Sequence, residues 1–438
     1  MEIAYLWDMR KFSIPSILAL VLLSTTPAWA LQLDIDTAVS RALQQSLDIE
    51  SAELRKRAAF NTIETISLLP SVGASLSVAT LSDATINASS TVSVDAGLSL
   101  RWNLTGSDLL RKSVNAVTKN QAYVDYDSSV AAVQQETIST YWRLVELHEA
   151  VKTAEAYLDF TESVHTQVFQ RYEASQATEL QLAQAKLSLS SAELSLQQAR
   201  SNSVESTRRF LDDLGFDRST VLELDELPKH FQLDFSRIDT LLATYISGTY
   251  VVQSANLAIE SAKYSQRAVR IDATAPSVSA QVSTNLQQIT NSGISTNSFP
   301  IQFSASVSIP LDRYLPRSQS ATAIKQAETE VTAAQLSLAS VKKSLTQQAE
   351  SLATSLTHQQ LNYQVLHNNL ALSERTLELM TEAYHAGLSS FSELESVRKE
   401  IRDTEHTILS AQVSYVLDCY ALAWLFNISY DNLVRELS

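Results

Sequence analysis

Seven histidines, at positions 148, 165, 230, 358, 367, 385 and 406, are the residues best suited to bind a metal or move a proton near neutral pH. None stands in HExxH or at another ligand spacing on one helix face. There is no P-loop and no dinucleotide fingerprint, so any energy this protein uses comes from a partner. The single cysteine, Cys419, lies in the apolar stretch Tyr415 to Phe426 and reads as a small buried residue. It can form no disulfide within the chain, and no zinc site can be built from cysteines. The chain therefore reads as a non-enzyme, with no cofactor or metal expected. Two opposite charges, Asp95 and Arg101, interrupt one face of an otherwise uncharged alternating segment and would line whatever that face encloses.

The elements that carry these residues repeat. Arg171 to Gly215 and Ala383 to Asn427 align without a gap at an offset of 212 (384 − 172 = 212, 426 − 214 = 212). Leu182, Ala185, Leu189, Ala192, Leu196 and Ala199 form a heptad stripe in the first copy. Leu394, Val397, Ile401, Thr404, Ile408 and Ala411 form it in the second. The small residues on the stripe let neighbouring helices approach closely.

Composition agrees with long helices. The chain has 438 residues, 7 glycines and 8 prolines, too few breakers for a loop-rich fold. Mean hydropathy is near zero, which excludes a helical membrane bundle, and a net charge of −15 argues against nucleic acid as a partner. Residues 1–30 read as a signal peptide: Met9-Arg10-Lys11 is basic, Ile14 to Leu23 is apolar, and Ala28-Trp29-Ala30 fits the cleavage pattern. Met9 offers an alternative start, and the mature chain is expected to begin at Leu31.

The first repeat (31–235) opens with a helix over Asp34 to Ser67, N-capped by Asp36 and ended by Pro70. The period then changes to two. Strands are expected over 71–80 and 91–102, joined by a polar loop. From Gly106 to Tyr172 nothing breaks a helix for about 67 residues, or roughly 100 Å. A turn at Ala174 to Thr178 and a second helix ending at Gly215 follow, then an irregular link carrying Pro228. The second repeat (236–438) is expected to be helical over Ser236 to Asp272, with strands over 277–288 and 300–311, a long helix from Ser318 to Tyr384, and the second heptad helix. The two shorter helices of the first repeat sum to about 71 residues, so stacked end to end they match one long helix.

The four strands permit two readings: a half-buried soluble sheet, or part of a membrane barrel whose apolar face meets lipid and whose polar face lines water. Strands of about ten residues suit a tilted bilayer span. The helices offer no spare apolar face to cover them, and Trp102, Phe299, Phe303 and Tyr314 lie near strand ends, where an aromatic girdle would sit. Four strands cannot close a barrel, whereas three chains supply 3 × 4 = 12.

The ordered set of motifs resembles the TolC family of outer-membrane efflux proteins. It comprises Leu33-x4-Ala38-x3-Ala42-Leu43, Pro70-Ser71 before the strands, the Leu214-Gly215 ending and the Tyr384-x-x-Gly387-x-x-Ser390 turn. The resemblance covers essentially the whole mature chain. It implies a mainly α fold with a β membrane part: two repeats of long antiparallel coiled-coil helices plus β-hairpins, forming a trimeric 12-stranded barrel continued by a periplasmic α-helical tunnel. It implies a passive exit duct in the outer membrane of a Gram-negative bacterium, for tripartite efflux or type I secretion. The partners implied are two further copies of the chain, outer-membrane lipid, a periplasmic adaptor and an inner-membrane pump.

The resemblance also implies sites. Tyr172, Ser175, Thr178, Tyr384, Gly387 and Ser390 would be adaptor-docking tips. Glu393 matches the first of two acidic positions that narrow the tunnel mouth. Ser396 occupies the second, and Glu395 is one residue away. Three copies of Glu393 about a threefold axis would repel one another and raise their pKa values. The chain departs from the family in Ser175, where glycine is usual, and in lacking the cysteine of lipid-anchored members. The remaining alternatives are a secreted or periplasmic structural coiled-coil protein and a periplasmic adaptor.

Overall fold

In the computed structural model, the described residues are 31–63, 70–82, 90–218, 220, 222–225, 233–291, 294–298, 301–311 and 314–437. The expected signal peptide, Phe299 and Pro228 lie outside them.

The first repeat begins with a two-residue strand β1 (Leu31–Gln32) and helices α1 (Ile35–Gln45) and α2 (Leu47–Ile63). The cap is Asp34, not the expected Asp36: its side chain accepts from the Thr37 amide at 2.9 Å, because the helix already starts at Ile35. The single helix expected here is two, because Ser46 is extended (ψ 124°) and its hydroxyl accepts from the Asp48 amide at 3.2 Å to start α2.

Strands β2 (Ser71–Ser82) and β3 (Ser90–Leu104) are longer than expected. The next helix does not start directly at Gly106. Thr105 and Asp108 form a capping box over a 3-10 turn at Gly106–Leu110, and α3 (Arg111–Glu173) then runs for 63 residues. Helix α4 (Glu179–Asp213) returns along it, and strand β4 (Leu222–Glu223) pairs in parallel with β1.

In the second repeat the expected helix again divides, into α5 (Ile238–Tyr245) and α6 (Tyr250–Asp272), with Thr249 capping the second. Strand β5 (Ser277–Asn291) is paired with β6 (Ile294–Ser298), where a polar loop was expected, and with β7 (Ile301–Ser308). Helix α7 (Gln319–His385) runs for 67 residues, α8 (Phe391–Leu425) packs back on it, and α9 (Tyr430–Leu437) ends the chain.

Packing follows the expected length match. Helices α1, α2 and α4 lie along α3, while α6 and α8 lie along α7, and α3 also touches α6 and α8. Every residue of both heptad stripes is buried or half-buried. The main core sits at mid-length of the long helices, where Tyr141, Leu144, Leu356 and Leu422 are almost fully enclosed. There the Tyr141 hydroxyl donates to the Leu33 carbonyl (3.0 Å) or the Asp225 carboxylate (2.9 Å) and accepts from the Asp225 amide (2.8 Å). This clasps β1 and β4 to α3. Cys419 is fully buried in the same core, and burial pushes its thiol up to about 12. Helix α8 alone among the described helices is long and apolar enough to cross a membrane, and its Val413, Val416, Cys419 and Leu422 are buried in this core.

Candidate functional site: a two-faced sheet and two helical tips

Strands β2, β3, β5 and β7 form one antiparallel sheet in that order. Paired residues share a face, so the register fixes both faces. One row reads Val72, Leu100, Val282, Phe303, and another Leu104, Val278, Val307. The opposite face reads Ser71, Arg101, Gln281, Ser304, and beside it Gly73, Ser99, Ser283, Gln302. The apolar face covers nothing: Leu76 is 75% exposed, Phe303 78% and Val307 65%. Tyr314 is also exposed, and Trp102 is half-buried. Both edges of the sheet, β2 and β7, lack a further strand within the described residues.

The polar face is a hydrogen-bonded surface. Arg101 donates from Nε (3.3 Å) and from a terminal nitrogen (3.1 Å) to the Gln281 side-chain oxygen, and the Ser279 and Ser306 hydroxyls meet at 2.7 Å. Asp95 pairs with Ser77 and Gln287 in the register of the same face. Its side chain lies outside the described ones.

At the far end of the long helices the chain turns twice in one conformation. Helix α3 ends with the Ser175 amide on the Tyr172 carbonyl (2.9 Å) and the Gln176 amide on the Arg171 carbonyl (2.7 Å). Helix α7 ends with the Gly387 amide on the Tyr384 carbonyl (3.1 Å) and the Leu388 amide on the Ala383 carbonyl (2.8 Å). Both are Schellman closures, which place the residue after the cap in the left-handed region: φ is 57° at Ser175 and 74° at Gly387. Thr178 and Ser390 then cap α4 and α8 in capping boxes with Gln181 and Glu393.

Of the expected docking residues, Tyr172, Ser175, Thr178, Gly387 and Ser390 are exposed. Tyr384 is not. Its ring is buried 6.3 Å from Phe391 and under the Arg171 guanidinium at 5.0 Å, in a cluster with Val164, Val168 and Leu394.

The three aperture candidates separate. Glu393 is exposed, and its carboxylate accepts from the Ser390 amide at 2.8 Å. Hydrogen bonds to the backbone and then to the side chain of Ser390 hold its pKa below the usual carboxylate value. The expected rise belongs to three copies meeting at an axis; within one chain the shift is downward. Ser396 is exposed beside it and donates to the Glu393 carbonyl at 3.0 Å. Glu395 instead turns into the seam with α4, where the Ser188 hydroxyl donates to it at 2.7 Å. Two arginines not singled out from the sequence brace α8 against α3: Arg398 lies 4.8 Å over the Phe160 ring, and Arg402 lies 4.5 Å over Tyr157. Their four-residue spacing on α8, opposite aromatics three apart on α3, was the available signal. Among the described residues no three His, Cys, Asp or Glu side chains are placed to hold a metal ion.

A sheet with one exposed apolar face and one hydroxyl- and amide-lined face, joined to helices of 63 and 67 residues, gives the chain the fold of an outer-membrane channel subunit. Residues 250–426, from the first residue of α6 to the residue after α8, match the family described as Outer membrane efflux protein. No curated protein matches the chain by sequence.

Solved structures share the fold. The outer membrane protein VceC of Vibrio cholerae is 15% identical, with 90% of this chain and 96% of that one covered at a TM-score of 0.67. The CmeC outer membrane channel of Campylobacter jejuni is 16% identical, with 92% and 88% covered at 0.66. The MtrE outer membrane channel of Neisseria gonorrhoeae, in its open state, is 16% identical, with 90% and 89% covered at 0.63.

Proposed function

We propose that the chain is the exit duct of a tripartite efflux or type I secretion assembly. Three copies form a 12-stranded barrel in the outer membrane and a helical tunnel through the periplasm, passively conducting what an inner-membrane pump and a periplasmic adaptor deliver. The observation that carries this reading is the two-faced sheet with open edges. Water would penalise its apolar face and lipid would not, and its unpaired edges need strands from other copies. A soluble coiled-coil protein has no use for such a face. The helices point the same way: Leu180, Leu187 and Leu194 on α4, and Val365, Leu372 and Leu379 on α7, form exposed stripes at heptad spacing, suited to a neighbouring copy. The exposed tips Tyr172, Ser175, Thr178, Gly387 and Ser390 are the surface offered to the adaptor. Glu393 and Ser396 share the exposed side of α8 that would narrow the mouth.

The test is single-channel conductance of the purified protein in a planar bilayer, wild type against Glu393→Gln. Glutamine keeps the capping hydrogen bond, as Gln181 does in the first repeat, so only charge is removed. The expected result is a small cation-selective conductance that changes in the variant. An unchanged conductance removes Glu393 from the aperture, and no conductance from a folded trimer refutes the duct.

A further inference from the structure

Across β2, β3, β5 and β7 the polar face consists of serine, glutamine, asparagine and other uncharged residues, broken by Arg101 and Asp95. Arg101 lies in the row of Ser71, the first residue of β2, so it sits at the helix-proximal end of the sheet. Asp95 is six residues away along β3, about 20 Å, which exceeds two Debye lengths at physiological salt. Among the described residues the Arg101 guanidinium has no carboxylate hydrogen-bond partner. It is exposed and leans on the neutral oxygen of Gln281, which fixes its position without cancelling its charge.

We propose that Arg101 is the charge-selecting residue of the barrel. Resting on the trimeric duct, the inference is that three copies form a ring of positive charge where the tunnel enters the barrel, favouring monovalent and carboxylate- or phosphate-bearing anions over cations. Twelve strands spaced about 4.8 Å apart and tilted about 40° enclose a barrel of roughly 12 Å radius, leaving each guanidinium about 7 Å from the axis. Three unit charges at that distance, in water with a Debye length of about 8 Å, enrich a monovalent anion on the axis about threefold and deplete a cation equally. At 1 M salt the Debye length falls to about 3 Å and the enrichment nearly vanishes. This preference is opposite in sign to that of an acidic ring at the tip, so the two ends of the duct filter by different charges.

The experiment is the reversal potential across a KCl gradient near 0.15 M for wild type, Arg101→Lys, Arg101→Gln and Arg101→Glu. The chloride-to-potassium permeability ratio should be similar for Arg and Lys, lower for Gln and lowest for Glu. The fall from Arg to Glu should be on the order of threefold or more, and it should collapse near 1 M salt. An unchanged ratio in Arg101→Glu, or a change that persists at 1 M, overturns the inference and leaves the duct standing. A wild-type trimer without conductance overturns the duct itself, and this inference with it.

Discussion

The two tips differ at one backbone position, and that difference sets a measurable stability. Ser175 and Gly387 are equivalent (387 − 175 = 212), and both are left-handed. An L-residue in that region is strained by about 1–2 kcal/mol, because its Cβ approaches a carbonyl oxygen. Glycine escapes the strain but loses about 0.5–1 kcal/mol more backbone entropy on ordering. Ser175→Gly should therefore stabilise the first tip by a net of about 0.5–1 kcal/mol, and Gly387→Ala should destabilise the second by a similar amount. A Cβ built at Gly387 meets no atom within 4 Å, so the cost there is conformational and not a clash. The assay is hydrogen exchange followed by mass spectrometry on peptides spanning residues 168–182 and 380–395. Slowing of about two- to fivefold is expected at the Ser175 and Gln176 amides in Ser175→Gly, with comparable acceleration at Gly387 and Leu388 in Gly387→Ala. Unchanged exchange in both variants would refute the claim that left-handed strain, and not side-chain contact, distinguishes the tips.

Two further outcomes follow from the tip and the sheet. Because the folded pKa of Glu393 is depressed, its cap stabilises α8 above the unfolded glutamate value near 4.5 and fails as pH falls through the folded value. Exchange at the α7–α8 tip should accelerate below that pH, while the α3–α4 tip, capped by the non-titrating Gln181, should not; Glu393→Gln should remove the difference. On the sheet, Phe303→Arg puts a cation on the bare apolar face at an expected cost of about 2–4 kcal/mol if it lies near the bilayer midplane, whereas the neighbouring Ser304→Arg faces water at little cost. Outer-membrane yield of the folded protein should fall in the first and not in the second; equal yields would count against a lipid-facing Phe303.

What the sequence exposed was period and turn chemistry. The heptad stripes, the two hairpins, the turn at Ala174 to Thr178 and Gly387 in the second turn all depend on residues within a few positions of one another. What it concealed depends on neighbours far along the chain. Tyr172 and Tyr384 occupy the same place in the same motif, yet one is exposed and the other buried. Phe391 lies tilted beside Tyr384, while its equivalent in the first repeat is Glu179 (391 − 212 = 179), which offers no apolar partner. Glu395 was paired with the aperture because a helical face read from spacing is uncertain by one residue; the Ser188 hydroxyl on α4 turns it away. Strands β1 and β4 are two residues each, too short for any period, and exist because Tyr141 ties their flanks together.

The repeats also diverge in a direction that bears on assembly. Helix α8 packs on both α7 and α3, whereas α4 packs chiefly on α3. The same residue type records the difference at equivalent positions (416 − 204 = 212): Val416 is 1% exposed and Val204 47%. Where α8 has the buried Val413, α4 has the exposed Ser201. Helix α8 has thus been made apolar to join the two repeats within a chain, and α4 has kept an open flank. A duplicated hairpin joined along one seam leaves its other seam uncovered, and within the described residues the sheet is open in the same way at β2 and β7. Two open sides on one chain, different in sequence, would meet head to tail in the proposed assembly, and head-to-tail contacts close as rings when the rotation allows. With four strands per chain, two copies supply only the eight of the smallest barrels, and three supply twelve, the first number to leave a lumen beyond what side chains fill.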